Sequence, residues 1–426
     1  MRTFTIIWLG QLTSTVGSYM TEFALILWAW QTTGSATALA LVAFFSRLLR
    51  IPLTLIAGLI VDRYNRKTLM MISDAIAMLC TSAIAVLYFT DQLQIWHLYL
   101  TAAIQGGASQ IQGLAYQTSL TLLVPSQDYL RANSMNSSVH YGSTIFAPAL
   151  AGVLFPWIGL SGILVIDWLT FGLAIATLLY VHIPQPEPQN PVALNAPIQN
   201  LRFSLNQVWK QPSLRSLLVL TTVFWFVHDL GGAIYDPMIL ARTNGSAQVL
   251  ASTATAAGIG GVTGAIVLSV WGGSQSRIRS LLSSFIGAGL SKTIFGFGQS
   301  AEIWIPAQFC SSLNFPLMDS AETAIWMEQI APAMQGRIFA ANAFVLQVAS
   351  AIATLMAGPL AERVFEPLFL PGGLVSKVIG GVIGDRAGAG LSFLYILCAL
   401  TMVLVGIVGF NLPKVRTIEG SPMIGK

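Results

Sequence analysis

Several ionisable side chains interrupt long apolar runs in this chain. The chemistry open to them is proton exchange or the holding of a charged solute. Glu22 stands in the first run, Arg47 in the second, His228 and Asp229 in the seventh, and Asp319 and Glu322 in the tenth. Ionisable groups at membrane depth are costly and face a partner or a water-filled cavity. At ~1.5 Å of rise per helical residue, Glu22 lies about 12 Å and Arg47 about 17 Å below the same membrane edge. Adjacent antiparallel helices can therefore bring them together. An Arg partner favours the ionised carboxylate, so proton binding at Glu22 requires the pair to separate. A static ion pair is the competing reading. Asp229 is the second candidate for proton coupling. His228 beside it is a relay near neutral pH or a hydrogen-bonded packing residue. Asp319 and Glu322 are three residues apart and share a helix face, where gating and coupling are both open. Lys292 in the ninth run snorkels or pairs.

A second concentration of charge lies between the second and third runs. It reads Gly58, Asp62-Arg63, then Arg66-Lys67, in a chain with 9% charged residues. Loop topology accounts for the cations but not for Asp62. A carboxylate between two helix ends can bind a helix N-terminus and nearby cations, which makes a cytoplasmic latch. Asp74, early in the third run, is a further member of that network. Uncharged polar residues mark a possible solute path: Gln11, Ser14, Gln105, Gln112, Gln117, His140, Asn314 and Gln347. Trp28, Tyr116, Phe224 and Trp225 are the supporting aromatics. Such a path suits a large amphipathic molecule, although aromatic stripes more often pack between helices or face lipid.

The elements that position these residues follow from composition. The 426 residues are 54% hydrophobic with a mean hydropathy of +0.70. Soluble proteins carry about 25% charged residues, so this is an integral membrane protein. The apolar runs are continuous without period-two alternation, which argues against a barrel. Twelve runs are expected: 5–30, 36–61, 68–90, 96–123, 130–157, 161–183, 214–240, 246–272, 280–299, 303–327, 338–362 and 390–412. With the N-terminus cytoplasmic, fourteen loop cations fall inside and four (Arg242, Arg363, Lys377, Arg386) outside. That bias places both termini in the cytoplasm.

Pro184 to Pro212 is too rich in proline at its start to cross a membrane, although Leu201 to Trp209 suits a short interfacial helix. It divides the chain into 1–183, a linker 184–213, and 214–426. The halves echo each other: Val124-Pro125 with Arg131-Ala-Asn133 parallels Ala331-Pro332 with Arg337 and Asn342. The pattern is that of two pseudo-symmetric bundles. Residues 365–388 are expected to be an outer loop with a short surface helix. Cys80, Cys310 and Cys398 lack metal-ligand spacing and read as buried hydrophobes. No phosphate loop or catalytic constellation stands out, so an enzyme or direct ATP drive is not expected. Nor is nucleic-acid binding, for want of a basic stripe.

With these motifs the chain resembles the major facilitator superfamily. The loop signature matches at Gly58, Asp62-Arg63 and Arg66-Lys67, with Asn65 where that family usually has glycine, asparagine being the next best residue for a left-handed turn. A closer resemblance is to the bacterial macrolide-efflux and enterobactin-exporter branch. It rests on Gly34-Ser35-Ala36, Leu130-Arg-Ala-Asn-Ser134, Gln335-Gly-Arg337-Ile-Phe339 and Gly358-Pro-Leu360. The helix-5 packing motif of antiporters is matched in part by Gly142, Pro148 and Gly152. The resemblance implies an all-α polytopic protein with twelve transmembrane helices in two six-helix bundles. It implies export of a drug, macrolide, siderophore or peptide natural product, driven by the proton gradient with no cofactor. The expected setting is a monomer in a bacterial inner membrane. An importer or uniporter, or a non-transporting sensor, remains the alternative.

Overall fold

The computed structural model describes residues 2–125, 128–183, 197–274, 276–369, 380–381, 383–384 and 386–420. They are helical nearly throughout, with no strand among them. In chain order the helices are α1 (Arg2–Thr33), α2 (Ala36–Leu48), α3 (Arg50–Arg63), α4 (Arg66–Phe89), α5 (Ile95–Leu123), α6 (Tyr129–Tyr180) and α7 (Pro197–Lys210). They continue as α8 (Pro212–Arg242), α9 (Ala247–Trp271), α10 (Arg277–Phe297), α11 (Ala301–Ser312), α12 (Phe315–Gln329) and α13 (Pro332–Leu360). A π turn, Ala361–Phe365, extends α13, and α14 (Ala389–Asn411) is the last long helix. Among the described residues, eight spans are long and apolar enough to cross a membrane. The chain is a multi-pass membrane protein.

Several expected runs differ in a way local chemistry explains. The run 36–61 is two helices broken at Leu49, three residues before Pro52. A proline ring clashes with the carbonyl four residues back, which here is Leu48. The run 303–327 breaks in the same way after Ser312, four residues before Pro316. There the Asn314 amide donates to the Cys310 carbonyl at 2.9 Å, repairing the break. The runs 130–157 and 161–183 follow one another directly, turned at Gly159, whose φ is 63°. The interfacial helix expected at 201–209 is the longer α7. Half of the outer loop expected at 365–388 lies outside the described residues.

The helices form two compact units. The first holds residues 1–33 and 41–197, the second 34–40 and 198–426. In the first, α1 packs on α6, α4 on α5 and α6, and α3 on α5. Its core includes Phe4, Ile7, Met70, Ala115, Leu120 and Leu178. In the second, α8 packs on α13 and α14, and α10 on α11, α12 and α14. Its core includes Leu217, Phe224, Phe285, Trp326 and Val208 of α7. Phe224 is therefore core, stacked on Phe285 at 3.9 Å, and does not line a path. Cys80 and Cys398 are buried as expected, but Cys310 is exposed.

Candidate functional site

In the first unit the polar residues of α1 gather on one side. Gln11, Ser14, Ser18 and Thr21 follow a spacing of three, four and three residues, which places them on a single helix face. Gln11, Ser14 and Thr21 are buried. The fully buried Asp74 carboxylate on α4 accepts from the Gln11 amide at 3.5 Å and from the Gln112 amide of α5. Gln112 also donates to Gln11 Oε1 at 3.2 Å. Asp74 is thus held by Gln11 and Gln112, two of the residues expected along the path. Burying a carboxylate without partners is costly, and amides from two other helices supply them here.

A carboxylate absent from the sequence reading lies on the same side. Asp167 of α6 is 1% exposed. Its Oδ1 accepts from Ser18 Oγ at 3.4 Å and its Oδ2 from Thr81 Oγ1 of α4 at 3.1 Å. Its signal in sequence was only an aspartate inside an apolar run. The hydroxyls that hold it come from distant helices and form no local motif.

Glu22 has exposed surface although protein surrounds it densely. Arg47 lies within electrostatic reach but donates to its own helix, at the Ala43 carbonyl, at 3.0 Å. Arg50 bonds Gln110 Oε1 at 2.9 Å, and Tyr19 lies between the fields of Glu22 and Arg50. Gln105 is half-buried and Gln117 exposed. The His140 side chain lies outside the described residues. On α6, Pro148 and Gly142 are half-buried, Gly152 is buried, and a methyl at Gly142 would meet open space.

The loop motif is bound chiefly through its cations. Arg66 donates to the Thr118 carbonyl at 3.2 Å, and Lys67 to those of Leu179 and Val181 at 3.2 and 2.7 Å. The Leu179 and Val181 carbonyls end α6, where a cation complements the helix dipole. Asp62 and Arg63 are exposed, and a methyl at Gly58 would meet open space. Asn65 corrects one expectation. It was to replace glycine in a left-handed turn, but its φ is −60°. Its side chain instead caps α4 by accepting from the Thr68 amide at 3.1 Å.

In the second unit, His228 Nδ1 meets Asp229 Oδ1 at 3.3 Å. The His228 ring packs edge-on against Trp225 and Phe315, with centroids 5.1 Å apart in each case. Lys292 is buried, bonds the Tyr395 hydroxyl at 3.2 Å and lies in the field of Asp229. It is therefore held inside the unit by Tyr395 and does not snorkel. Glu322 is buried, with Trp225, Trp326 and Asn342 as polar neighbours, while its Oε1 closes no hydrogen bond. Asp319 lies beside it and is exposed. Asn314 serves the helix break described above, and Gln347 is half-buried.

Helices of membrane length with carboxylates and amides turned inward define a polytopic transporter. A family model described as Major Facilitator Superfamily matches residues 7–354, and the chain belongs to that family. Macrolide efflux protein A of Streptococcus pyogenes is 25% identical over 363 residues, covering 85% of this chain and 90% of that protein. Multidrug efflux pump Tap of Mycolicibacterium fortuitum is 24% identical over 419 residues, covering 96% and 95%. Among solved structures, a bacterial homologue of the iron transporter ferroportin has a TM-score of 0.70 at 14% identity, covering 96% and 98%. A bacterial homologue of the lysosomal transporter Spinster has a TM-score of 0.72 at 13% identity, covering 100% and 99%. The likeness to the two solved structures is one of fold.

Proposed function

We propose that this chain exports an amphipathic drug-like molecule, with macrolides as the first class to test, by alternating access in exchange for protons. The observation that carries the reading is Glu22. Its carboxylate sits deep in α1 with accessible surface, and the Arg47 guanidinium that acts on it is bonded to the Ala43 carbonyl. A carboxylate so placed can take a proton in one state and release it in another as Arg47 moves toward or away from it. The efflux relatives support the direction and the solute class. The reading places the protein in a bacterial inner membrane as a monomer, with both termini inside.

The test is erythromycin accumulation in energised cells expressing wild type or Glu22→Gln, with and without an uncoupler. Wild type should lower accumulation several-fold, and both the substitution and the uncoupler should abolish that effect. Efflux that survives the uncoupler would point to a uniporter. Efflux that survives Glu22→Gln but not the uncoupler would move the coupling group to Asp229 or to α12.

A further inference from the structure

We propose that Asp167 is a second proton-binding site, stacked outward of Asp74 along the buried polar face of α1. The inference rests on the proton-coupled reading above and extends it to a residue and a route. Two carboxylates, Asp74 and Asp167, are buried in the first unit at 0% and 1% exposure. Among the described residues neither has an ion-pair partner within 4.0 Å. A buried carboxylate with no counter-cation is stable only when hydrogen-bonded or protonated.

The two sites repeat one architecture. Gln11 and Ser18 on α1 are seven residues apart, as are Asp74 and Thr81 on α4. Seven residues are two helical turns, ~10.5 Å. The inner level is Gln11, Gln112 and Asp74, and the outer level is Ser18, Thr81 and Asp167. Ser14, buried, stands between the levels on the same face of α1. Thr21 follows one turn outward and lies beside Asp167. It is 5% exposed and its Oγ1 closes no hydrogen bond. Glu22 stands four residues beyond Ser18 and so on the same side of α1, which leads from Glu22 through Asp167 to Asp74.

The packing selects the ligand. A methyl at Gly17 would collide with Thr170 Oγ1 and touch Asp167 Oδ1, and one at Gly10 would collide with Thr177 Oγ1. With α1 pressed so closely on α6, a proton has room at Asp167 where a hydrated cation does not. The groups facing Asp167 are Ser18 and Thr21 from α1 and Thr81 from α4, with Thr170 beside it on its own helix. All are hydroxyls, which can pass a proton as well as hold the carboxylate. The other carboxylates of α1 and α4 are Glu22 and Asp74, and the titratable Tyr19 and Cys80 adjoin Ser18 and Thr81 in the chain.

The test is an infrared pH titration of the purified protein in lipid, for wild type, Asp167→Asn, Asp74→Asn and Thr81→Val. The same preparations, as proteoliposomes loaded with radiolabelled erythromycin, are assayed under imposed pH gradients. Asp167→Asn should remove one component of the titrating carboxylic C=O band and shift the midpoint of the remainder. It should also abolish the dependence of efflux on the gradient. Thr81→Val, which keeps the carboxylate, should shift both the band and the pH profile. A titrating band unchanged by Asp167→Asn overturns the proposal. So does efflux that falls equally at every pH, which is the signature of a structural tie. If Asp167→Asn does not reconstitute, absence of a shift in Thr81→Val overturns it. If wild-type efflux ignores the gradient while the band behaves as expected, Asp167 stands as a proton site and the export reading fails instead.

Discussion

Asn65 works through its side chain at a position where backbone freedom was expected to matter. As an N-cap it satisfies the Thr68 amide at the start of α4. Asn65→Ala should therefore cost about 1 kcal/mol of stability, whereas Asn65→Gly, the family's usual residue, should cost only a few tenths. Thermal unfolding in detergent distinguishes them, and equal losses would contradict the cap. Other residues of the site were legible in part. Gln11 and Gln112 stood out as amides within apolar runs, and both bind Asp74. That Asp74 was their partner was not legible, because its nearest charged neighbours in sequence lie in the loop. Asp167 was missed because Ser18 and Thr81, its partners, are 149 and 86 residues away. A hydroxyl in an apolar helix most often bonds its own backbone, as Thr170 does at 2.8 Å, so it carries little signal.

Helices were legible as apolar runs, and their breaks were legible only where proline chemistry was applied at the right offset. Pro52 and Pro316 break α2–α3 and α11–α12, whereas Pro148 lies inside α6 without ending it. Membrane helices tolerate proline when neighbours satisfy the freed groups, and sequence does not say which neighbours will. Glycines divide in a similar way. Gly58 and Gly17 look alike in sequence, yet one faces open space and the other Thr170. Gly58→Ala should stabilise the protein by about 0.5–1 kcal/mol, since alanine favours a helix and meets nothing. Gly17→Leu should destabilise it by about 1–3 kcal/mol or more through overpacking against α6. Denaturant titration of both variants measures this directly. If Gly58→Ala raises stability while slowing transport, its small size serves a conformation other than the one described.

At the scale of the whole molecule, residues 34–40 belong with the second unit although they precede most of the first. The bonds that hold them there are specific. The Glu362 carboxylate accepts from Ser35 Oγ at 2.8 Å, from the Thr37 amide at 3.1 Å and from Thr37 Oγ1 at 2.5 Å. A negative charge at the first turn of α2 also complements that helix's dipole. Gly358 lies directly against Thr37 with no room for a methyl. Two phrases that carried the family resemblance, Gly34-Ser35-Ala36 and Gly358-Pro-Leu360, thus meet around one carboxylate. A hydrogen bond to a charged group is worth about 1.5–3 kcal/mol, so losing even one would change the fraction of molecules with this seat open about tenfold or more. Consider a variant lacking Cys80, Cys310 and Cys398, with one cysteine placed at Ala38, which is 7% exposed. A membrane-impermeant maleimide added outside should label it slowly, and adding Glu362→Ala should raise that rate at least several-fold. Control cysteines at Asn244 and Ser274 should label from opposite sides, because the loop cations put the first outside and the second inside. Unchanged labelling at position 38 would mean that Glu362 does not hold the start of α2. Labelling of position 274 from outside would reverse the orientation, and the route of protons and solute with it.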